Sequence, residues 1–347
     1  MKRIGAALER RIGAMLLCGF RGLHLADDPR LDRQLRAGRL GGVILFDRDA
    51  TTGELGRNVT GPEQLRTLTR ELREAAPHPL WIAVDQEGGA VRRLKEEAGF
   101  PPLAAPRVLG ERDDEGESRA QAEETARTLR QCGIDLNLAP VVDLDRNPDC
   151  PVIGRLRRSY SADPQVVTRQ AALFIEAHRR QGVATALKHF PGHGSARVDS
   201  HLGLPDITDT WDEEELLPYR ELIGRGLADA VLVAHVFHAG LDPEFPATLS
   251  PVVTTGLLRE RLGFAGVAIA DDLQMGAIAG RFGLEETIWR AVDAGIDLLT
   301  FGNNLSYDPD LPERVFATLL DLVARGDLAP ARIGESACRL LEFLPNR

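Results

Sequence analysis

Eight short apolar runs recur along the chain with stretches of helical periodicity between them. They are Met15–Phe20, Val43–Phe46, Leu80–Val84, Asp135–Val142, Ala184–His189, Ala230–His235, Val267–Asp271 and Asp297–Phe301. Runs rich in small and β-branched residues, apolar without alternation, read as strands buried on both faces. The stretches Pro62–Ala75, Ser118–Gln131, Pro164–Gln181, Trp211–Arg225 and Leu284–Ala294 have the spacing of amphipathic helices. Strands alternating with helices build a parallel sheet, and eight parallel strands close a barrel. The expectation is an α/β chain folded as a single (β/α)8 TIM-type barrel over residues 1–347, with no second domain. A last helix near Ala329–Phe343 would complete the outer ring. An open doubly wound sheet is the runner-up, but no Gly-x-Gly-x-x-Gly turn follows an early strand.

Composition narrows the partners. The formal net charge of -10 argues against a general nucleic-acid binder. Cys18, Cys132, Cys150 and Cys338 are scattered with no CxxC spacing, so they read as reduced thiols and not as a disulfide frame or zinc site. No apolar run is long enough to span a membrane. Met1–Arg11 and the apolar Ile12–Phe20 superficially suggest a leader, but Gly13 and Gly19 interrupt the run and no small-residue cleavage site follows. Leu16-Leu17-Cys18-Gly19 resembles a lipoprotein box, with Leu17 a poor residue before the cysteine. The segment reads as the first helix and strand, and the expected location is the cytoplasm. A monomer or weak homo-oligomer with a small-molecule partner is expected.

A barrel puts its chemistry at the C-terminal ends of its strands, and these ends are polar here. The third leads into Asp85-Gln86-Glu87-Gly88-Gly89, then Arg92 and Arg93. The fourth ends at Asp143, and its loop carries Arg158. The fifth ends on Lys188-His189 and runs into Phe190-Pro191-Gly192-His193-Gly194, then Asp199-Ser200-His201. The sixth ends at His235, the seventh at Asp271-Asp272 and the eighth at Asn303-Asn304. Asp199 lies two residues before His201, close enough to orient or charge its imidazole. A carboxylate such as Asp85 can accept two sugar hydroxyls, and Arg93 and Arg158 can donate paired hydrogen bonds to sugar oxygens. Asp143 reads as a receptor for loop amides, and Asp272 as a cap for the helix after it. His78 and His178 read as surface residues and His238 as a loop residue.

KHFPGHG followed by DSH resembles the signature of glycoside hydrolase family 3, in its β-N-acetylhexosaminidase branch. GGVILF (Gly41–Phe46), DQEGG (Asp85–Gly89), NLAPVVD (Asn137–Asp143) and DDLQMGA (Asp271–Ala277) occur in that family's order, from about Ile12 to Asn304. The resemblance implies a retaining exo-β-N-acetylglucosaminidase acting on terminal β-linked N-acetylglucosamine, with muropeptides of cell-wall recycling as the expected source. It implies Asp271 as nucleophile and His201 with Asp199 as a mobile general acid/base. It implies Asp85, Arg93, Arg158, Lys188 and His189 as sugar contacts. No cofactor and no metal are expected. The chain departs from the pattern at Ala90, where many relatives have Arg, and in Asp47–Gly61, longer than in close relatives; both bear on the leaving-group side. Three other readings are weighed. A metal-dependent barrel could use Lys188, His189, His193, His201 and His235, but lacks a His-x-His at an early strand end. A phosphorylase or β-glucosidase of the same family could use the same residues. A non-catalytic sugar binder would be favoured by loss of Asp271 or His201, and both are present.

Overall fold

The computed structural model describes residues 5–201 and 203–343. Among them are eight parallel barrel strands: β1 Leu16–Gly19, β2 Gly42–Leu45, β3 Trp81–Val84, β4 Leu136–Asn137, β5 Ala184–Phe190, β6 Ala230–Val233, β7 Val267–Ala270 and β8 Leu299–Phe301. They pair in sequence order, with β8 beside β1. The last seam, β7 to β8, closes through a parallel bridge between Ile269 and Leu298. The barrel expected from the eight runs is therefore the fold.

Each strand feeds a helical segment of the outer layer. In chain order after the entry helix α1 Ala6–Ala14 these include α2 Pro29–Arg36, α3 Pro62–Ala75, α4 Glu115–Gln131, α5 Pro164–Arg180 and α6 Leu217–Gly224. A π-helical segment, Val252–Arg261, follows β6. Then come α7 Leu284–Ala294, α8 Leu311–Arg325 and α9 Pro330–Phe343. Asp28, Asp114 and Asp163 cap α2, α4 and α5 by accepting first-turn amides. Pro sits in the first turn of α2, α3, α5, α6 and α8, where its missing N–H is no loss.

Two strands differ from expectation, both at the site. The fourth run was expected to reach Val142, but β4 is two residues long because Pro140 has no amide to donate. Pairing resumes only as a bridge between Val141 and Lys188. β5 runs on through His189 to Phe190, with a register shift against β6 between Leu187 and Phe190. This is a bulge, and it matters: a regular strand would send Lys188 and His189 to opposite faces. Here both are buried and both line the same cavity.

His178 is not on the surface. It is buried, takes Phe174 as a stacking partner and packs its Nε2 3.1 Å from Asn137 Nδ2 on β4. Burial is the main cause that pushes its pKa down to about 4, so it is a neutral core residue. His78 is half-buried in the turn before β3, also short of a free surface position.

Carboxylates tie the helices to the opposite, N-terminal end of the barrel. Asp135 before β4 meets Arg73 at 2.7 Å, and Asp229 before β6 meets Arg179 at 2.5 Å. Asp297 before β8 is fully buried and collects Arg259 at 2.5 Å, Ser336 at 2.7 Å and Arg339 at 3.1 Å, with Arg332 at 3.4 Å. It thus joins the π-helical segment and α9 to the barrel. Replacing it leaves three guanidiniums facing one another without an anion. Asp297→Asn is expected to lower unfolding stability by about 3–5 kcal/mol. The check is a shifted urea midpoint with unchanged activity per folded molecule, because the cavity lies at the other end of the strands.

Candidate active site

A cavity of about 380 Å³ opens at the C-terminal mouth of the barrel. Ile44, Leu138, Leu232 and Thr300, all buried, are among its lining. Asp85, Arg93, Arg158, Lys188, His189, Asp199, His201 and Asp271 all line it. The structure therefore brings together every site residue singled out from sequence.

The floor charges interleave. Lys188 Nζ sits 2.7 Å from Asp85 Oδ1 and 2.6 Å from Glu87 Oε1. Arg158 grips Glu87 with two parallel bonds, Nε to Oε2 at 2.8 Å and Nη2 to Oε1 at 2.7 Å. Arg158 Nη2 also donates to His189 Nε2 at 3.1 Å. A guanidinium only donates, so His189 Nε2 must accept and its proton must lie on Nδ1. That nitrogen is 2.6 Å from Asp143 Oδ2. Burial, with Arg158 and Lys188 close by, drives the His189 pKa well down and keeps the ring neutral. Asp143 also accepts the amides of His189 and His193, as expected of a receptor for loop amides.

Burial alone would raise Asp85, but Lys188 and Arg93 outweigh it and hold the carboxylate well below its usual range. Arg93 Nη2 stands 3.4 Å from its other oxygen. Glu87 was not counted among the contacts, and no signal in its own motif marks it for this position. It is buried beneath the cavity. Arg158 and Lys188 hold it below the ordinary Glu range against the effect of burial, so it is a structural anion and not a proton donor.

Asp271 and Asp272 have opposite environments. Burial raises Asp271, but His235, His189 and the Asp272 amide, 2.9 Å from Oδ1, more than offset this. Asp271 therefore stays ionised. Asp272 is pushed up to about 6, chiefly by burial, with Asp271 adding to the effect. Asp272 does not cap a helix. It accepts Gly302 N and Gln274 N at 3.0 Å each and so joins the β7 end to the β8 end. His235 holds the same strand end from behind, its Nε2 donating to the Asp272 carbonyl at 3.0 Å.

Across the cavity, the loop after β5 carries the Asp199–His201 pair. His201 Nδ1 and its own amide each meet Asp199 Oδ1 at 2.8 Å. A carboxylate only accepts, so Nδ1 bears a proton and Nε2 is the nitrogen left for chemistry. The His201 side chain is 49% exposed. The loop end leans on the β7 loop through Gly276 N to the His201 carbonyl at 3.3 Å and Ala277 N to the Ser200 carbonyl at 3.2 Å. Asp199 is held below its usual range: burial opposes this, but the His201 amide and ring prevail.

The segment Asp47–Gly61 forms one wall. Arg57 pairs with the buried Asp49 and donates to the Asn303 carbonyl at 2.6 Å. The Asn304 side chain accepts Ala50 N at 2.8 Å. The excursion is thus fastened to the β8 end, and Phe46, Asp47, Arg48 and Ala50 face the cavity. Ala90 is exposed at the turn of the small ribbon Gln86–Gly88/Val91–Arg92 and does not line it. Among the described residues no group of three His, Cys, Asp or Glu side chains converges as metal ligands would.

Residues 7–343 match the glycosyl hydrolase family 3 N terminal domain. The chain is 39% identical to a β-hexosaminidase of Tolumonas auensis over 83% of each chain, and 36% identical to one of Stenotrophomonas maltophilia over 95% of this chain and 99% of that one. It superposes on a family 3 β-N-acetylglucosaminidase from a Paenibacillus species with a TM-score of 0.88 and 35% identity, covering 97% of this chain and 62% of that one. Its likeness to a β-N-acetylhexosaminidase from Beutenbergia cavernae has a TM-score of 0.86 at 26% identity, over 99% of both. With the motifs of the five strand ends gathered around one cavity, the chain belongs to glycosyl hydrolase family 3.

Proposed function

We propose that the protein is a retaining exo-β-N-acetylglucosaminidase. The observation that carries this reading is one cavity with an ionised Asp271 on a rigid strand end and the Asp199–His201 pair on the loop facing it. The kinship with β-hexosaminidases supports the sugar.

In the proposed reaction an Asp271 oxygen attacks the anomeric carbon while the bond to the leaving oxygen breaks. His201 Nε2, protonated, gives its proton to that oxygen. Asp199 fixes the ring through Nδ1 and so aims Nε2 at the leaving oxygen. In the second half Nε2 takes a proton from water, and the water oxygen displaces Asp271 from the anomeric carbon. Asp85, Lys188, Arg158 and Arg93 hold the ring hydroxyls, and His189 packs beside them against the sugar. We assign the terminal N-acetylglucosamine of muropeptides as natural substrate and the cytoplasm as the place of action.

A 5-fluoro activated N-acetylglucosaminide should leave a covalent label on Asp271. Mass mapping checks it, and a label on Asp272, or none, overturns the assignment. His201→Ala should slow substrates with poor leaving groups by about 10²–10⁴-fold. It should spare glycosylation by an activated aryl glycoside, whose deglycosylation azide would then rescue. Equal slowing of every leaving group, without rescue, places the acid/base elsewhere. With and without phosphate, the product should be free N-acetylglucosamine; a sugar 1-phosphate would replace hydrolysis by phosphorolysis.

A further inference from the structure

Behind the loop that carries His201 lies a cluster of buried polar groups that the proposed chemistry does not use. Glu215, in the turn Glu213–Leu216 before α6, is 1% exposed, and neither carboxyl oxygen has a hydrogen-bond partner. Ser195 Oγ, Tyr219 Oη and His193 Nδ1 are also buried without partners. The Ser195 hydroxyl and Gly194 amide lie close enough to the Glu215 carboxyl to favour its charged form, but short of well-aligned hydrogen bonds. Buried polar atoms are rarely left so, and a cluster of them asks for a reason.

The loop is laid directly on this carboxyl. Gly192 has φ +133°, and a Cβ there would collide with Glu215 Oε2. One at Gly194 would collide with the Leu144 carbonyl. Trp211 Nε1 clamps the loop base by donating to the Pro191 carbonyl at 3.0 Å. Gly192–Ser195 therefore rests on Glu215 with no slack, while Val198 and His201 beyond it are exposed.

We propose that Glu215 is a positioning residue, whose carboxyl supports Gly192–Ser195 and so sets where His201 stands over the cavity. This rests on the acid/base role given to His201. The support needs an uncharged carboxyl. The charged groups around it are Asp143 from the β4 end, Arg146 from the loop after it, and Asp212 from its own turn; Tyr219 of α6 and His193 of the loop complete the wall. Arg146 is engaged by Asp212 and Glu214. Burial first, then Asp143 and Asp212, push Glu215 up from 4.5 to about 8. Once ionised, it draws the Ser195 hydroxyl and the Gly194 amide into full alignment, and the loop shifts with them. A raised carboxyl binds its proton more tightly folded than unfolded, so stability falls as pH rises from 4.5 towards 8.

Hydrogen exchange of residues 191–201, read on either side of pH 8 against segment 47–61 as internal reference, tests this. In the intact enzyme the ratio should rise above pH 8. In Glu215→Gln, uncharged at every pH, the rise should vanish, and the melting temperature should lose its decline towards alkaline pH. Glu215→Asp, drawn back by one methylene, should lower kcat on a poor-leaving-group substrate about tenfold with KM unchanged. A wild-type ratio indifferent to pH, or a rise that survives Glu215→Gln, overturns the proposal. The exchange result does not depend on catalysis. A failure of the His201 assignment would show in the leaving-group series alone.

Discussion

The mouth of the barrel depends on a chain of alternating buried charges: Asp85, Lys188, Glu87, Arg158, His189 and Asp143. Ions taken out of water are tolerated only when each meets a partner in good geometry. Here Lys188 lies between Asp85 and Glu87, Arg158 lies between Glu87 and His189, and the neutral His189 passes the last hydrogen bond to Asp143. The members come from four places: the end of β3, the ribbon after it, the loop after β4 and the bulge of β5. The network therefore forms only when these strand ends are in register, and once formed it holds them there. Lys188 and Arg93 fix Asp85 without using all of its lone pairs, so a ligand hydroxyl in the cavity meets a fixed acceptor. Glu87 anchors the two cations and has no need to touch a ligand.

Much of this was legible because parallel barrel strands are unusual in sequence. They are apolar on both faces, and their polar ends stand out against that background. Asp85, Lys188 and Asp271 are each the first polar residue after such a run, and His189 is the second after its own. What failed to show depends on tertiary context. His178 looked exposed beside Arg179 and Arg180, yet it lies on the stripe of Val167, Ala171, Phe174 and Ile175, four residues past Phe174. Spacing on α5 was the better guide than neighbouring charge. The β5 bulge left no mark, since two consecutive polar residues after an apolar run read as a strand end. Glu215 sits in a run of four acidic residues, Asp212 to Glu215, that looks like a solvated turn. Three of them are exposed and the fourth is buried, and only the approach of Gly192 tells them apart.

Asp272 shows how one pair of identical side chains acquires two roles. Asp271 and Asp272 are adjacent in sequence and share the same strand end. The neighbouring rings of His235 and His189 and the hydrogen bond from the next amide keep the first charged. The second spends its bonds on the backbone of the β8 end and is pushed towards neutrality by burial and by its neighbour. Environments that move two carboxyls apart assign the roles better than residue type does.

The same logic separates the two halves of the proposed chemistry in space. A nucleophile gains from a fixed, dry position, because its charge is then held close to the reacting carbon and not spread into solvent. Asp271 has that position at the end of a strand hydrogen-bonded on both sides. A general acid/base has the opposite need. It must give a proton to a departing group and recover one from incoming water, so it has to remain in contact with solvent. His201 is half exposed on a loop, with only Asp199 to fix its ring. Placing it on a loop makes its position depend on what lies beneath that loop. Rigidity given up at the acid has to be restored by packing from below, which is where Gly192, Gly194 and the Glu215 carboxyl meet.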